Sequence, residues 1–181
     1  PGLALQGIMT YPSMLSSKPF LDETVALFQQ AGLPCHVISG GGTGTYDLTG
    51  DNTPWTEIQA GSYVFMDTHY ASVGLQFQNS LSVLATVIHK RAGVAITDAG
   101  MKVCSIDDGA PVVKGYPHLP VRLNEEHGII TDPGDELHYR QKVEYLPSHC
   151  CTTVNLHDRY YGVRQGVLEV IWPVGGRGKS Q

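Results

Sequence analysis

The chain has no run of about 18 apolar residues, so no segment reads as a membrane span. It has no basic excess either. Twelve Lys and Arg stand against 17 Asp and Glu, a net charge of −5. A nucleic-acid partner calls for a basic surface, so that class is set aside. No basic stretch precedes an apolar one at the start, which argues against a secretory signal. Cysteine is sparse at four residues in 181, Cys35, Cys104, Cys150 and Cys151, too few for a disulfide scaffold. Cys150 and Cys151 are adjacent, with Cα atoms about 3.8 Å apart, below the usual disulfide range. A reduced, cytoplasmic protein is expected. Charged residues are also few, at 16%, beside 41% hydrophobic residues, which is the balance of a packed globular chain. Glycine is the residue in surplus, 21 in all and concentrated in short clusters. The chain opens on Pro1-Gly2 without an initiator methionine and runs straight into apolar sequence, as a domain reads when entered in the middle.

The pattern predicts two regimes. Leu3 to Tyr11 reads as a mostly buried strand. Lys18 to Ala31 carries Phe20, Leu21, Val25, Leu27 and Phe28 at helical spacing, with Asp22 and Glu23 expected in the first turn. Gly32 and Pro34 then stop the helix, and Cys35 to Ile38 resumes as a short buried strand. Strand, helix and strand in this rhythm indicate parallel α/β structure. A helical turn is expected at Trp55–Ile58 and a strand at Gly61–Asp67. Beyond these the segments 81–89, 93–97, 102–106, 112–113, 144–146, 152–156 and 167–172 read as β-strands between turns such as Asp107-Asp108-Gly109. The predicted organisation is an α/β region at 1–78 followed by a smaller β domain at 79–181.

Two motifs carry chemistry. Ser39-Gly40-Gly41-Gly42-Thr43-Gly44-Thr45 follows a strand directly, at the end where α/β folds collect ligands. Its backbone N–H groups and the Thr43 and Thr45 hydroxyls suit the several acceptor oxygens of a phosphate. It is neither a P-loop, since no Lys-Ser/Thr pair follows, nor a dinucleotide fingerprint. A plain flexible turn is the alternative. The second motif is His149-Cys150-Cys151. On a strand, His149 and Cys151 would share a face while Cys150 points away, and an imidazole with a thiolate makes a pair of zinc ligands. A buried cysteine beside a hydrogen-bonded core histidine is the alternative here. His127, flanked by Glu125 and Glu126, could lie near a site or in a solvated turn.

In this order, with a strand-rich segment between them, the motifs resemble the D-threonine aldolase and D-serine dehydratase family of alanine-racemase-type pyridoxal-phosphate enzymes. Gly7–Tyr11, Gly61–Asp67, Glu125–Gly128, Pro147–Asp158 and Trp172-Pro173-Val174 extend the resemblance over nearly the whole chain. It implies that the first region is the last strands and helices of a (β/α)8 barrel. It implies that Gly41, Gly42, Thr43, Gly44, Thr45 and Tyr11 contact pyridoxal phosphate, and that His149 and Cys151 hold a divalent metal. The family's aldolase branch typically has an aspartate where Cys151 stands. A cysteine there leans toward zinc, because thiolate suits magnesium and manganese poorly. The implied activity is cleavage or dehydration of small D-3-hydroxy amino acids by a homodimer. A non-catalytic metal-binding or association module is the rival reading. The family's Schiff-base lysine lies on a barrel strand with no counterpart here. Lys18, Lys90, Lys102, Lys114, Lys142 and Lys179 all read as surface charges, so the chain alone is expected to be inactive.

Overall fold

The computed structural model describes residues 2–11, 15–50, 54–74 and 76–179. The chain divides into two compact units, Pro1–Val64 and Phe65–Gln181. The change of sequence character expected at 78/79 thus falls inside the second unit.

In the first unit three short strands run parallel: β1 (Gly7–Met9), β2 (Val37–Gly40) and β3 (Glu57–Ile58), in the order β1-β2-β3. The helix α1 (Lys18–Gln30) joins the first two. Pro19 sits in its first turn, where the missing N–H costs nothing. Asp22 and Glu23 lie beyond that turn, not in it as expected, and Asp22 instead pairs with Lys18 across one turn at 2.6 Å. The helix closes in a Schellman arrangement. Gly32, at φ +65°, donates to the Gln29 carbonyl and Leu33 donates to that of Phe28.

The buried strand expected over Leu3–Tyr11 is only three residues long, and Leu3, Leu5, Met9 and Tyr11 are exposed. In place of the helical turn expected at Trp55–Ile58, Glu57–Ile58 is the two-residue strand β3 and Trp55-Thr56 leads into it. Thr56 clips onto β2 twice, its N–H to the Ile38 carbonyl at 2.8 Å and its hydroxyl accepting the Ile38 N–H at 2.9 Å. The strand expected at Gly61–Asp67 is absent. Ser62–Val64 is a 3₁₀ turn whose Tyr63 N–H goes to the Thr43 hydroxyl, and Met66 follows at φ +54°, which no strand accommodates.

The second unit is built on a six-stranded antiparallel sheet, nearly closed on itself. Its strands are β4 (Val83–Arg91), β5 (Gly93–Thr97), β6 (Val112–Val113), β7 (Val121–Leu123), β8 (Gly128–Asp132) and β9 (Lys142–Leu146). They lie in the order β6-β9-β4-β5-β8-β7. Every one sends alternate side chains into a single cluster that includes Val83, Ala85, Val87, Ala95, Val113, Leu123, Ile130, Val143 and Tyr145. A fully buried side chain of this size contributes roughly 1.5–3 kcal/mol. The Tyr145 hydroxyl is satisfied inside the core by Thr97 at 2.7 Å.

Lys90, at the end of β4, reaches the fully buried Asp132 at 2.5 Å, and Asp132 also accepts the Glu136 and Leu137 N–H groups. Residues 102–106 form turns around Gly100 and not the expected strand. The strands β7 and β8 were not anticipated. β10 (Arg159–Arg164), also unanticipated, forms a hairpin with β11 (Val167–Pro173). Its turn residues Gln165 and Gly166 both have positive φ, as a type I′ turn demands.

Candidate functional site

The glycine loop lies at the C-terminal end of β2, and the α2 helix (Tyr46–Gly50) follows it. Gly41 has φ +69°, and a Cβ there would come within 2.8 Å of the Thr49 hydroxyl. A Cβ on Gly42 would meet the Tyr11 ring at 3.3 Å. Only glycine lets the backbone pass between these groups.

Part of the loop's hydrogen-bonding capacity is spent internally. The Gly42 N–H donates to the Thr45 hydroxyl at 3.1 Å, the Thr45 N–H returns to the Gly42 carbonyl, and the buried Thr43 hydroxyl accepts from Tyr63. Among the described residues the N–H groups of Gly41, Thr43 and Gly44 have no such internal acceptor, so they are the loop's available donors. The Tyr11 ring lies against Gly42 of this loop. Three amide donors on a loop bordered by a tyrosine suit an anionic group of phosphate size.

The second place is the head of α4 (Cys150–Val154). Thr152–Leu156 was expected to be strand, because Thr-Thr-Val is β-branched. It is helical because the fully buried Asp67 accepts the Cys150 N–H at 2.8 Å and so takes up a donor of the first turn. The other oxygen of Asp67 caps the short α3 helix (Thr68–Ala71) through the Tyr70 N–H. His149 remains extended at the N-cap position, with φ −138°. The shared strand face of His149 and Cys151 is therefore replaced by a strand-to-helix corner. Cys150 still turns into the core and Cys151 toward solvent.

Around the corner lies an open depression of about 700 Å³ lined in part by Ser105, Asp107, Cys151 and Thr152. The imidazole Nδ1 of His149 is 2.6 Å from Asp107 Oδ2 and 3.5 Å from Asp108 Oδ2. Asp107 Oδ1 accepts the Ser105 hydroxyl at 2.5 Å and the Thr152 hydroxyl at 2.8 Å. Partial burial alone would raise the Asp107 pKa. The hydrogen bonds from Ser105, His149 and Thr152 outweigh it and lower the value to about 2. Partial burial likewise pulls the His149 pKa down, and the Asp107 carboxylate, aided by Cys151, carries it above its ordinary value. Burial and the nearby Cys150 and Cys151 thiols push the Tyr160 hydroxyl up.

No three His, Cys, Asp or Glu side chains form a metal-ready group among the described residues. The donors at this corner are one imidazole and one thiol, beside an open side. That set suits a borderline-soft divalent ion that completes its coordination with water or substrate.

His127 lies in the turn before β8, where its carbonyl accepts the Asn124 N–H. Sequence reasoning missed Asp67 and Asp107. Asp107 was visible only as a turn residue, and nothing local tied either of them to residues 149–151.

Comparison with known proteins agrees with this architecture. Residues 80–163 match the family described as "Putative serine dehydratase domain". Among curated proteins, a 3-hydroxy-D-aspartate aldolase of Paracoccus denitrificans (strain Pd 1222) is 34% identical over 205 residues, covering 99% of this chain and 53% of that protein. A D-threonine aldolase of Arthrobacter sp is 41% identical over 163 residues, covering 86% and 43%. The crystal structure of D-threonine aldolase from Filomicrobium marinum superposes with a TM-score of 0.82 at 35% identity, over 88% of this chain and 46% of that one. D-threo-3-hydroxyaspartate dehydratase from Delftia sp. HT23 gives 0.76 at 28% identity, over 95% and 56%. That dehydratase has also been solved as a cysteine-to-alanine mutant in the metal-free form and as a histidine-to-alanine mutant. An alanine-racemase-like protein from Idiomarina loihiensis shares the fold, with a TM-score of 0.70 at 23% identity, over 86% and 52%.

The chain therefore has the alanine-racemase-like fold, with the nearly closed antiparallel sheet of its second unit consistent with it. More particularly, residues 80–163 carry the serine dehydratase domain match, and the chain is similar to a D-threonine aldolase, 3-hydroxy-D-aspartate aldolases and a D-threo-3-hydroxyaspartate dehydratase. It spans about half the length of the curated relatives it matches.

Proposed function

We propose that the chain supplies the phosphate-binding loop and the metal-binding corner of a pyridoxal-phosphate and metal-dependent lyase of small D-3-hydroxy amino acids. The observation that carries this reading is the corner at α4, where an imidazole and a thiol two residues apart stand beside an open depression. The histidine and cysteine altered in the solved dehydratase mutants have the same spacing.

Gly41, Gly42, Thr43, Gly44 and Thr45 receive the cofactor's phosphate, and the Tyr11 ring borders Gly42. His149 and Cys151 bind the metal, which the thiolate makes zinc. Pyridoxal phosphate provides an electron sink, and a divalent metal provides a Lewis acid for a substrate hydroxyl. Within the chain, His149 donates a neutral imidazole nitrogen, Cys151 a thiolate, and the loop amides fix an anion. Retro-aldol cleavage and dehydration share these parts, and the relatives include both kinds of enzyme.

The cofactor-binding lysine lies outside these 181 residues. Lys18, the one lysine of the first unit, is held by Asp22, and Lys90, Lys102 and Lys114 are each paired with carboxylates. With four free cysteines and no helix long and apolar enough to cross a membrane among the described residues, the cytoplasm suits the protein. A homodimer is the proposed assembly. The exposed apolar residues of the β10–β11 hairpin, among them Tyr161, Val163 and Trp172, favour a second reading as an association module.

The test joins the chain to the N-terminal half of the Paracoccus aldolase and measures carbonyl product from D-threonine, D-serine and 3-hydroxy-D-aspartate. Turnover lost in Cys151→Ala is expected, whereas no turnover in a folded, cofactor-loaded hybrid overturns the lyase reading. Borohydride reduction of the chain with pyridoxal phosphate should leave no stable adduct. An adduct mapped by mass spectrometry to any of the six lysines refutes the external-lysine proposal.

A further inference from the structure

We infer that Asp107 is a positioning residue for the His149–Cys151 metal site, holding the imidazole in the one tautomer that leaves Nε2 open for a metal. The inference rests on the metal role proposed above for that pair. It assigns a task to a residue 42 positions away in sequence, on the turn before β6.

At neutral pH a carboxylate can only accept, so the contact between Asp107 Oδ2 and His149 Nδ1 puts the proton on Nδ1. The lone pair of the neutral ring is then on Nε2. The carboxylate itself is not free to swing. Its other oxygen accepts the Ser105 and Thr152 hydroxyls, so three donors from two segments fix its plane. Thr152 follows Cys151 directly, and the same carboxylate therefore braces the corner on both sides of the pair.

A purely structural task explains the contact less well. The His149 side chain makes no capping bond to α4, whose Cys150 N–H is already satisfied by Asp67. Asp108 lies within ion-pair distance of the same nitrogen, at 3.5 Å, yet makes no hydrogen bond to it. Its neighbour therefore carries the orientation. Partners of this kind behind a ligating histidine typically contribute 10–100-fold in metal affinity.

The experiment titrates the 181-residue chain with cobalt(II), following the thiolate-to-metal charge-transfer band, with zinc competition to rank affinities. Asp107→Ala and Asp107→Asn are compared with Asp108→Ala and Cys151→Ala, and each variant's melting curve is recorded. Roughly 10–100-fold weaker binding in the Asp107 variants, near-unchanged binding in Asp108→Ala and loss of the band in Cys151→Ala are expected. Wild-type binding with Asp107 variants within twofold overturns the positioning role and leaves the site intact. No band in the folded wild type overturns the site itself and the inference with it.

A readout independent of metal is the tautomer of His149, read by long-range nitrogen–proton NMR on the metal-free chain where the imidazole is neutral. Nδ1–H is expected in the wild type and a mixture in Asp107→Ala. An Nε2–H tautomer in the wild type overturns the inference even if the variants fail to fold.

Discussion

The two compact units solve the burial problem differently. In the second, six strands of one sheet point alternate residues into a common core, with Val87, Ala95, Val113, Ile130 and Tyr145 fully buried. In the first, three short parallel strands and one long helix bury few apolar side chains, notably Leu21 and Ile38, while Leu3, Met9, Phe20 and Leu27 stay exposed. Antiparallel strands joined by short turns can enclose a core locally, whereas parallel strands depend on crossovers and neighbours to cover both faces. The β unit thus has the means to be stable by itself, and the α/β unit has faces that the described residues leave uncovered.

Thiol chemistry gives the largest contrast between the units. Cys104, in the second core, is fully buried, and burial pushes its pKa up to about 12, while Cys35 in the first unit is only half-buried. Under native conditions a thiol reagent should modify exposed Cys151 first, then Cys35, with Cys104 slower by orders of magnitude. Mass spectrometry of the labelled chain checks the order, and early labelling of Cys104 would mean that the β core opens readily.

Next in size is Asp132→Ala, which leaves the Glu136 and Leu137 N–H groups without their acceptor and Lys90 with Asp135 alone. About 3–5 kcal/mol should be lost in urea unfolding. The pH dependence of this pair follows from its directions. Burial opposes the charge on Asp132, but Lys90 and the Leu137 and Glu136 amides hold its pKa below the ordinary value. Its contribution is full above the unfolded carboxylate pKa and fades as pH falls through the lower folded one. Burial also opposes the charge on Lys90, but Asp132 and Asp135 raise its pKa above the ordinary 10.5. The lysine's share is full below 10.5 and fades only as pH climbs past the folded value. Wild-type unfolding followed from acid to alkaline pH should show both losses, and Asp132→Ala should flatten the acid one.

Ile130→Ala should cost about 3 kcal/mol. At the small end, Phe20→Ala, at a site 73% exposed, should cost under about 0.5 kcal/mol. A Phe20 effect as large as that of Ile130 would show that α1 is covered in solution by something more than the described residues.

Where hydrophobic period decided the structure, the sequence was readable. The β-branched runs of β4, β5 and β11 stood out, as did α1 with Gly32 behind it. Reading failed where a distant residue decides. Thr152-Thr153-Val154 has strand composition but folds as helix, since Asp67, 83 positions away, accepts the Cys150 N–H. The run Tyr63–Met66 looks like a strand, yet its N–H at Tyr63 is taken by Thr43 and its end is turned by Met66. Gly128–Asp132 was hidden behind the acidic turn at 124–127, and Arg159–Arg164 by its flanking charges. The candidate site was half legible for the same reason. Gly41–Thr45 and His149-Cys150-Cys151 are contiguous words, while Asp67 and Asp107 reach residues 149–152 only through the fold.

The strand β4 has a consequence of its own. Its first half, Val83–Thr86, pairs with β9, and its second half, Val87–Arg91, with β5, the register shifting between Val87 and His89. One continuous backbone is thus shared by two antiparallel panels, β6-β9 on one side and β5-β8-β7 on the other. A proline at Val87, whose N–H donates to the Gln141 carbonyl at 2.9 Å, would unfasten that joint and let the panels part like a book cut along its spine.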